Sequence, residues 1–361
     1  MTALTRIVVA CVACSLGGCS ISGPTSIRTS RTNYNDAIAR TGAEQLLLNL
    51  VRLRYRDVPL FLEVSSVTTT FDVEVEGGMA VRTTTPDIAG VDLAGKITLS
   101  ERPSVTYLPL QGEMFVKKLM TPLETETLVL MYHSGWSLDR MLKVCVRRLG
   151  PLVNAARASG PTPAIVPTYQ DFFETADLLQ QLWERGDLEL GLATSDKGPA
   201  SLVIRFDDAA RGSTEVGRLK ELLGLPASME LTGLTASQTE ITGEGVALVT
   251  RSLMACMYFL SQGVEPPEGD VKAGRVTVTR DESGAPFDWA RITGGLMRIR
   301  SGQAKPENVY AAVEYRGTTF WIDDGDLDSK STFALLGQLL ELQSGSARGS
   351  GPILTLPVGG G

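Results

Sequence analysis

Histidine occurs once in the 361 residues, at His133. A zinc or iron centre built on several imidazoles is thereby excluded, and any Ser-His-Asp relay would have to pass through that one ring. His133 lies in Met131-Tyr132-His133-Ser134-Gly135-Trp136, a helix-end setting in which an imidazole more often caps carbonyls than moves protons. The chain has no Gly-x-Ser-x-Gly elbow, no Walker phosphate loop and no Gly-x-Gly-x-x-Gly fingerprint, and no cofactor is expected. Cys145 and Cys256 fall on the apolar faces of expected helices, without the charged, exposed surroundings of a nucleophilic thiol. They read as small buried hydrophobes, with a disulfide between them as the alternative.

Asp323, Asp324, Asp326 and Asp328 form the one acidic cluster. The alternation at Asp324, Asp326 and Asp328 matches the opening of a calcium loop, where a hard cation gathers oxygens at about 2.5 Å. The match then fails, because Ser329 stands where that loop needs glycine and Leu335 where it needs a bidentate glutamate. The competing reading is a helix start, with Asp328 or Ser329 as the cap and negative charge at the positive end of the dipole. Glycoside hydrolysis needs only two carboxylates about 5 to 9.5 Å apart. Glu124, Glu126, Asp171 and Glu174 are available, yet their spacing selects no pair, and aromatics at 6% give little surface for stacking sugars. No catalytic or metal-binding set is assigned.

The elements that must position these groups read as α+β, antiparallel strands packed with several helices in one or two domains. A helix is expected from about Tyr34 to Arg56, ended by Asp57-Val58-Pro59. In its second half Gln45, Asn49, Arg52 and Arg56 share one stripe, while leucines, Val51 and Tyr55 cover nearly everything else. Such a helix packs on several sides. Arg54 falls among the apolar residues and should snorkel or find a partner, either tying the helix to the body or receiving an anionic ligand.

Phe61 to Arg82 alternates in part, at Phe71, Val73 and Val75, with a turn expected at Gly77-Gly78 and further strand at Lys96 to Leu99 and Ser104 to Leu108. Helices are expected at Gly112 to Met120, Leu123 to Ser134, Leu138 to Leu149, Tyr169 to Glu184, Glu215 to Leu223 and Ser331 to Gln343. Strands are expected at Leu188 to Leu192, Leu202 to Phe206, Met229 to Leu234 and Glu240 to Thr242. Another pair, at Val309 to Tyr315 and Thr318 to Ile322, flanks Arg316-Gly317 as a two-residue hairpin turn. Val246 to Leu260 reads as a buried helix, broken by polar residues and too short to span a membrane. Ser159-Gly160-Pro161-Thr162-Pro163 opens an expected linker, 159–168, between regions 33–158 and 169–343. A Gly/Ser-rich tail, 344–361, carries one apolar segment suited to an edge strand.

Near the start, a lone Arg6 precedes an apolar run from Ile7 to Leu16, and small residues stand directly before a cysteine in Leu16-Gly17-Gly18-Cys19. This stretch resembles a bacterial lipobox. The resemblance implies removal of residues 1–18 as a signal peptide and lipid on the Cys19 thiol and its new amino group. Several acyl chains there would give firm attachment. Ser20 follows the cysteine where an aspartate would favour inner-membrane retention, so the outer membrane is expected. Residues 19–32 then read as the lipidated cysteine and a flexible tether.

The segment Gln45 to Asp57 leading into Val58-Pro59-Leu60-Phe61-Leu62, with Ile322 to Phe333, resembles an uncharacterised group of proteobacterial envelope proteins. That resemblance supports the envelope and implies no activity. With a net charge of -7 and no long like-charge runs, a nucleic-acid partner is not expected. The expectation is a lipid-anchored, periplasm-facing protein with a binding or scaffold role beside an envelope protein partner. A carboxylate-based cell-wall or polysaccharide hydrolase and a carrier of lipid or a small ligand are the alternatives.

Overall fold

The computed structural model describes residues 22–83, 89–110, 112–195, 198–226, 228–229, 231, 233–237, 245–345 and 354–357. Helix α1 (Ser22–Arg54) is 33 residues long, about 50 Å at 1.5 Å per residue. It begins well before Tyr34, so the part of the expected tether from Ser22 to Thr32 is helical. Pro24 falls in the first turn, where a missing N–H costs nothing, and the leucine-rich half supplies the packed nucleus from which the helix propagates. Leu47, Leu50, Val51 and Leu53 in that half are fully buried.

Strands β1 (Leu62–Thr83) and β2 (Ala89–Pro109) form one long antiparallel hairpin. The expected turn at Gly77-Gly78 is a correction: both glycines lie mid-strand, Gly77 opposite Gly95 and Gly78 opposite Ala94. Alternation passes through the glycines without a change of parity, and ladder pairing outweighs their turn preference. The register slips once, between Val64 and Ser66, and is unbroken from there to Thr83.

After α2 (Glu113–Met120), α3 (Thr125–His133) and α4 (Leu138–Cys145) come β3 (Val146–Leu149) and β4 (Leu152–Val153). Helix α5 (Gln170–Glu184), β5 (Leu188–Ser195), β6 (Gly198–Phe206), α6 (Thr214–Leu222), β7 (Gly233–Ser237) and β8 (Gly245–Thr250) follow. These strands make one sheet in the order β4-β3-β8-β7-β6-β5, antiparallel except for β7 with β8. Two expectations fail here. The C-terminal end of the helix expected at Leu138 to Leu149 is strand β3, and the first part of the buried helix is strand β8. In β8 the buried positions Val246, Leu248 and Thr250 alternate, a period that a purely apolar count cannot separate from a helix. The expected strand at Glu240 to Thr242 lies outside the described residues.

Helix α7 (Leu253–Ser261) starts at Ser252, whose hydroxyl accepts from the Ala255 N–H at 3.2 Å. The short helices α8 (Glu268–Lys272) and α9 (Ala290–Thr293) lead into β9 (Arg300–Gly302), β10 (Val309–Tyr315) and β11 (Thr318–Asp323), a sheet ordered β10-β11-β9. The expected Arg316-Gly317 turn is present, with φ of 52° and 75°. Helix α10 (Leu327–Gly345) follows, and β12 (Leu354–Pro357) returns to pair with Ser104 to Tyr107 at the base of β2.

The expected linker is not one. Thr162 and Pro163 are buried, the Thr279 hydroxyl donates to Pro163 O at 2.6 Å, and β3 from the N-terminal region pairs with β8 from the C-terminal region. Among the described residues a single core runs through α1, α4, α7, α10, the six-stranded sheet and the β10–β11 hairpin. Among the described residues no helix is long and apolar enough to cross a membrane.

Candidate functional site

The polar stripe of α1 is where the helix grips the rest of the chain. The Gln45 amide donates to Leu62 O (3.0 Å) and accepts from Leu62 N (2.7 Å). One turn on, the Asn49 amide donates to Leu60 O (2.8 Å) and accepts from Leu60 N (2.9 Å). Each amide thus treats one residue of the incoming chain as a neighbouring strand would, and the two fix the angle at which β1 leaves the helix.

At its C-terminal end α1 closes with Arg56 N bonded to Leu53 O and Asp57 N to Arg52 O, a Schellman end with arginine at the left-handed position, φ 65°. Around it four aromatic and acidic groups interlock. The Tyr55 hydroxyl donates to Asp270 at 2.5 Å, and Arg275 reaches the same carboxylate at 2.6 Å. The Tyr315 hydroxyl donates to Asp57, which also accepts from Arg316 at 2.9 Å. The Arg316 guanidinium lies 5.4 Å from the ring centroids of Tyr55 and Tyr315, and those rings meet edge to face. The tyrosine donors hold the carboxyls of Asp57 and Asp270 below their usual range. Burial and then the carboxylate partner push both tyrosine hydroxyls upward. Every one of these groups is engaged by another, so the cluster fastens α1 to the β10–β11 hairpin and offers no free acid or base.

Arg54 lies beside this cluster, 5% exposed, with Nη1 donating to Thr162 Oγ1 and Thr277 O, both at 3.0 Å. Burial pushes its pKa down to about 10, which leaves it charged at neutral pH. Among the described residues no carboxylate meets it; backbone and hydroxyl oxygens do. Among the described residues its Nε has no hydrogen-bond partner, and neither has Oε1 of Gln262, 3% exposed. Both residues line one cleft of about 340 Å³, floored by Phe287, Trp289 and Met297. The other polar groups there are spoken for: Glu265 pairs with Arg298 at 2.7 Å, and the Trp289 indole donates to Thr279. The cleft has room for a small molecule.

The acidic cluster is dispersed rather than gathered. Asp324 pairs with Lys330 at 2.7 Å, and Asp328 pairs with Arg140 at 2.7 Å. Asp326 accepts from both the backbone and the hydroxyl of Ser329. The cap of α10 is therefore Asp326, not the expected Asp328 or Ser329, because the helix opens at Leu327 and places Ser329 at its third position. Among the described residues no group of three metal-ligating side chains comes together.

His133 is exposed at the end of α3 against Tyr132. Glu124, Glu126 and Asp171 are exposed, while Glu174 is gripped by Arg218 and held below the usual carboxylate range, opposite to what a general acid needs. Cys145 and Cys256 are free and buried; hydrogen bonding to Cys256 and burial push the Cys145 thiol well up. Cys19 lies outside the described residues.

Arg251, one of the polar residues that interrupt the apolar run from Val246 to Leu260, proves central. Arg251 is 1% exposed and reaches Lys143 O, Val144 O, Val146 O, Asn154 O and the Ser159 hydroxyl, with its guanidinium 4.0 Å from the Phe259 ring centroid. It satisfies the carbonyls left over where α4 becomes β3. Its signal in the sequence was a charge standing alone in an apolar run. Comparison of the chain with protein-family models, with curated proteins and with solved structures finds no match.

Proposed function

We propose that the protein is a lipid-anchored part of the bacterial envelope, attached to the outer membrane through Cys19, facing the periplasm and serving as a structural member of an assembly. The observation that carries this reading is the β1–β2 limb. Its strands of 22 and 21 residues pair with each other throughout, and among the described residues β12 covers only Ser104 to Tyr107 of the outer edge. The limb is clamped at its base to α1, the helix that follows Cys19. Long open strand edges are completed by other chains, and an isolated surface protein would blunt them.

The test is in-cell crosslinking followed by mass spectrometry of the membrane fraction, with Cys19→Ala as the mislocalised control. A recurrent envelope partner or a self-crosslink, lost in the control, supports the reading. Bulk outer-membrane proteins in equal measure from both samples overturn it.

The cleft favours a second reading, the small-ligand carrier. Arg54 Nε asks for an acceptor and Gln262 Oε1 for a donor, a demand met by a small molecule with both, such as a primary amide or a protonated acid. Native mass spectrometry of the purified chain tests it: an added small mass absent from Arg54→Met supports it, and identical bare masses reject it.

A further inference from the structure

The β1–β2 limb divides its two faces by chemistry along its length. On β1 the positions of one parity are Val73, Val75, Gly77, Met79 and Val81. The register sets opposite them Leu99, Ile97, Gly95, Leu93 and Val91. The other face carries Asp72, Glu74, Glu76 and Arg82 on β1 and Asp92 and Lys96 on β2. From Val73 to Val81 the paired positions of one parity are thus all apolar or glycine, bounded by the Phe71–Glu101 pair, while those of the other parity carry the charges with Gly78, Ala80, Ala94 and Thr98 between them, over a continuous ladder without a bulge.

The apolar band has a length. From Val73 to Val81 the strand rises about 26 Å at about 3.3 Å per residue. Tilted by about 40°, as strands in membrane barrels are, it spans about 20 Å, most of the roughly 25 Å apolar belt of an outer-membrane barrel, with Phe71 extending it on one strand. Alternating strands of about ten residues that carry this pattern are the sequence mark of such barrels.

The edges decide who completes it. Among the described residues no strand pairs with the outer edge of β1, and none pairs with β2 beyond Ser104. A hairpin of two strands is marginal by itself in water. In hydrocarbon each open backbone group costs several kcal/mol, so only a closed barrel is tolerated. One chain supplies two strands, and the smallest membrane barrels have about eight, which calls for about four copies or more.

We propose that the β1–β2 limb is a transmembrane hairpin and that several copies of this chain join their limbs edge to edge into one β-barrel pore, apolar face to lipid and charged face to a water-filled lumen. The proposal deepens the envelope reading by making the partner a further copy of the same chain.

The experiment uses the full chain, extracted from membranes in nonionic detergent and added to planar bilayers of phosphatidylethanolamine and phosphatidylglycerol. The expected results are an oligomer by light scattering and discrete conductance steps. Glu74→Cys should be labelled by a membrane-impermeant maleimide, with block of the current, while Val75→Cys one position away should stay unlabelled. Glu74→Lys with Glu76→Lys should shift ion preference toward anions. Val75→Asp with Ile97→Asp should abolish conductance while the helical signal and melting of the body persist. A monomer without conductance, or equal labelling at positions 74 and 75, overturns the proposal. The mass of the N-terminal peptide reports separately on lipid at Cys19, so an unlipidated chain that still conducts would sink the anchor and leave the pore standing.

Discussion

The Asn49 side chain and the Leu60 backbone exchange two hydrogen bonds, at 2.8 and 2.9 Å, with Asn49 fully buried. A helix side chain thereby takes the place of a β-strand and sets where the limb begins. Asn49→Leu keeps the bulk, removes both bonds and leaves an N–H and a C=O without partners, a loss of about 1 to 3 kcal/mol per buried group. Expected are a lower melting temperature and faster proteolysis at the 57–61 connection. Unchanged melting would mean that the limb is positioned by other contacts.

Arg251 feeds four backbone carbonyls and one hydroxyl from a site with 1% exposure. Arg251→Met fills the volume and strands those oxygens together, each at about 1 to 3 kcal/mol. The expected outcome is a chain that does not fold at growth temperature, read as loss of the cooperative circular-dichroism transition. Arg251→Lys should recover little, because an ammonium offers no planar fork of donors.

The tyrosine and carboxylate lattice at the end of α1 predicts the shape of the pH profile. Asp57 and Asp270 have folded pKa values below the usual 3.8, so their contribution is present above about pH 4 and is lost as pH falls through the folded values. Tyr55 and Tyr315 are raised above the usual 10.0, so theirs is full below about pH 10 and is lost above it. Melting temperature should be flat between and fall on both sides. Tyr55→Phe should make both flanks shallower, and a profile identical to the parent would show that the lattice contributes nothing.

At Gly263 an added Cβ would sit 2.2 Å from Met297 O, a backbone atom that cannot swing aside. The Gly263 carbonyl also accepts from Ile299 N at 2.9 Å, so the two strands of chain are already in register. Gly263→Ala should cost about 1 to 3 kcal/mol, the range for overpacking. Chemical denaturation would show this as a lower midpoint at constant slope.

Much of the frame was legible from local pattern. Helices α5 and α10 and the Arg316-Gly317 hairpin follow from periodicity and turn chemistry, which need no knowledge of distant partners. The Gly77-Gly78 turn misled because glycine has turn preference whether or not the ladder runs through it. Strand β8 was hidden because a short apolar run has no period of its own. Arg54 was picked out as a charge on an apolar face, but its partners Thr162 and Thr277 are far along the chain, and no spacing announces them. Gln262 carried no signal at all, since its unsatisfied oxygen exists only once α7 is packed.

The pairing of β12 with Tyr107 and its neighbours joins the last described strand to one near the front. A chain made from its N-terminus presents that edge while the sequence after Pro109 is still to emerge, and such non-local closure is slow. Neighbouring molecules arriving together could trade these strands, each tail sealing the limb of the next. Synthesis rate and local abundance, as much as affinity, would then govern whether molecules mature singly or linked.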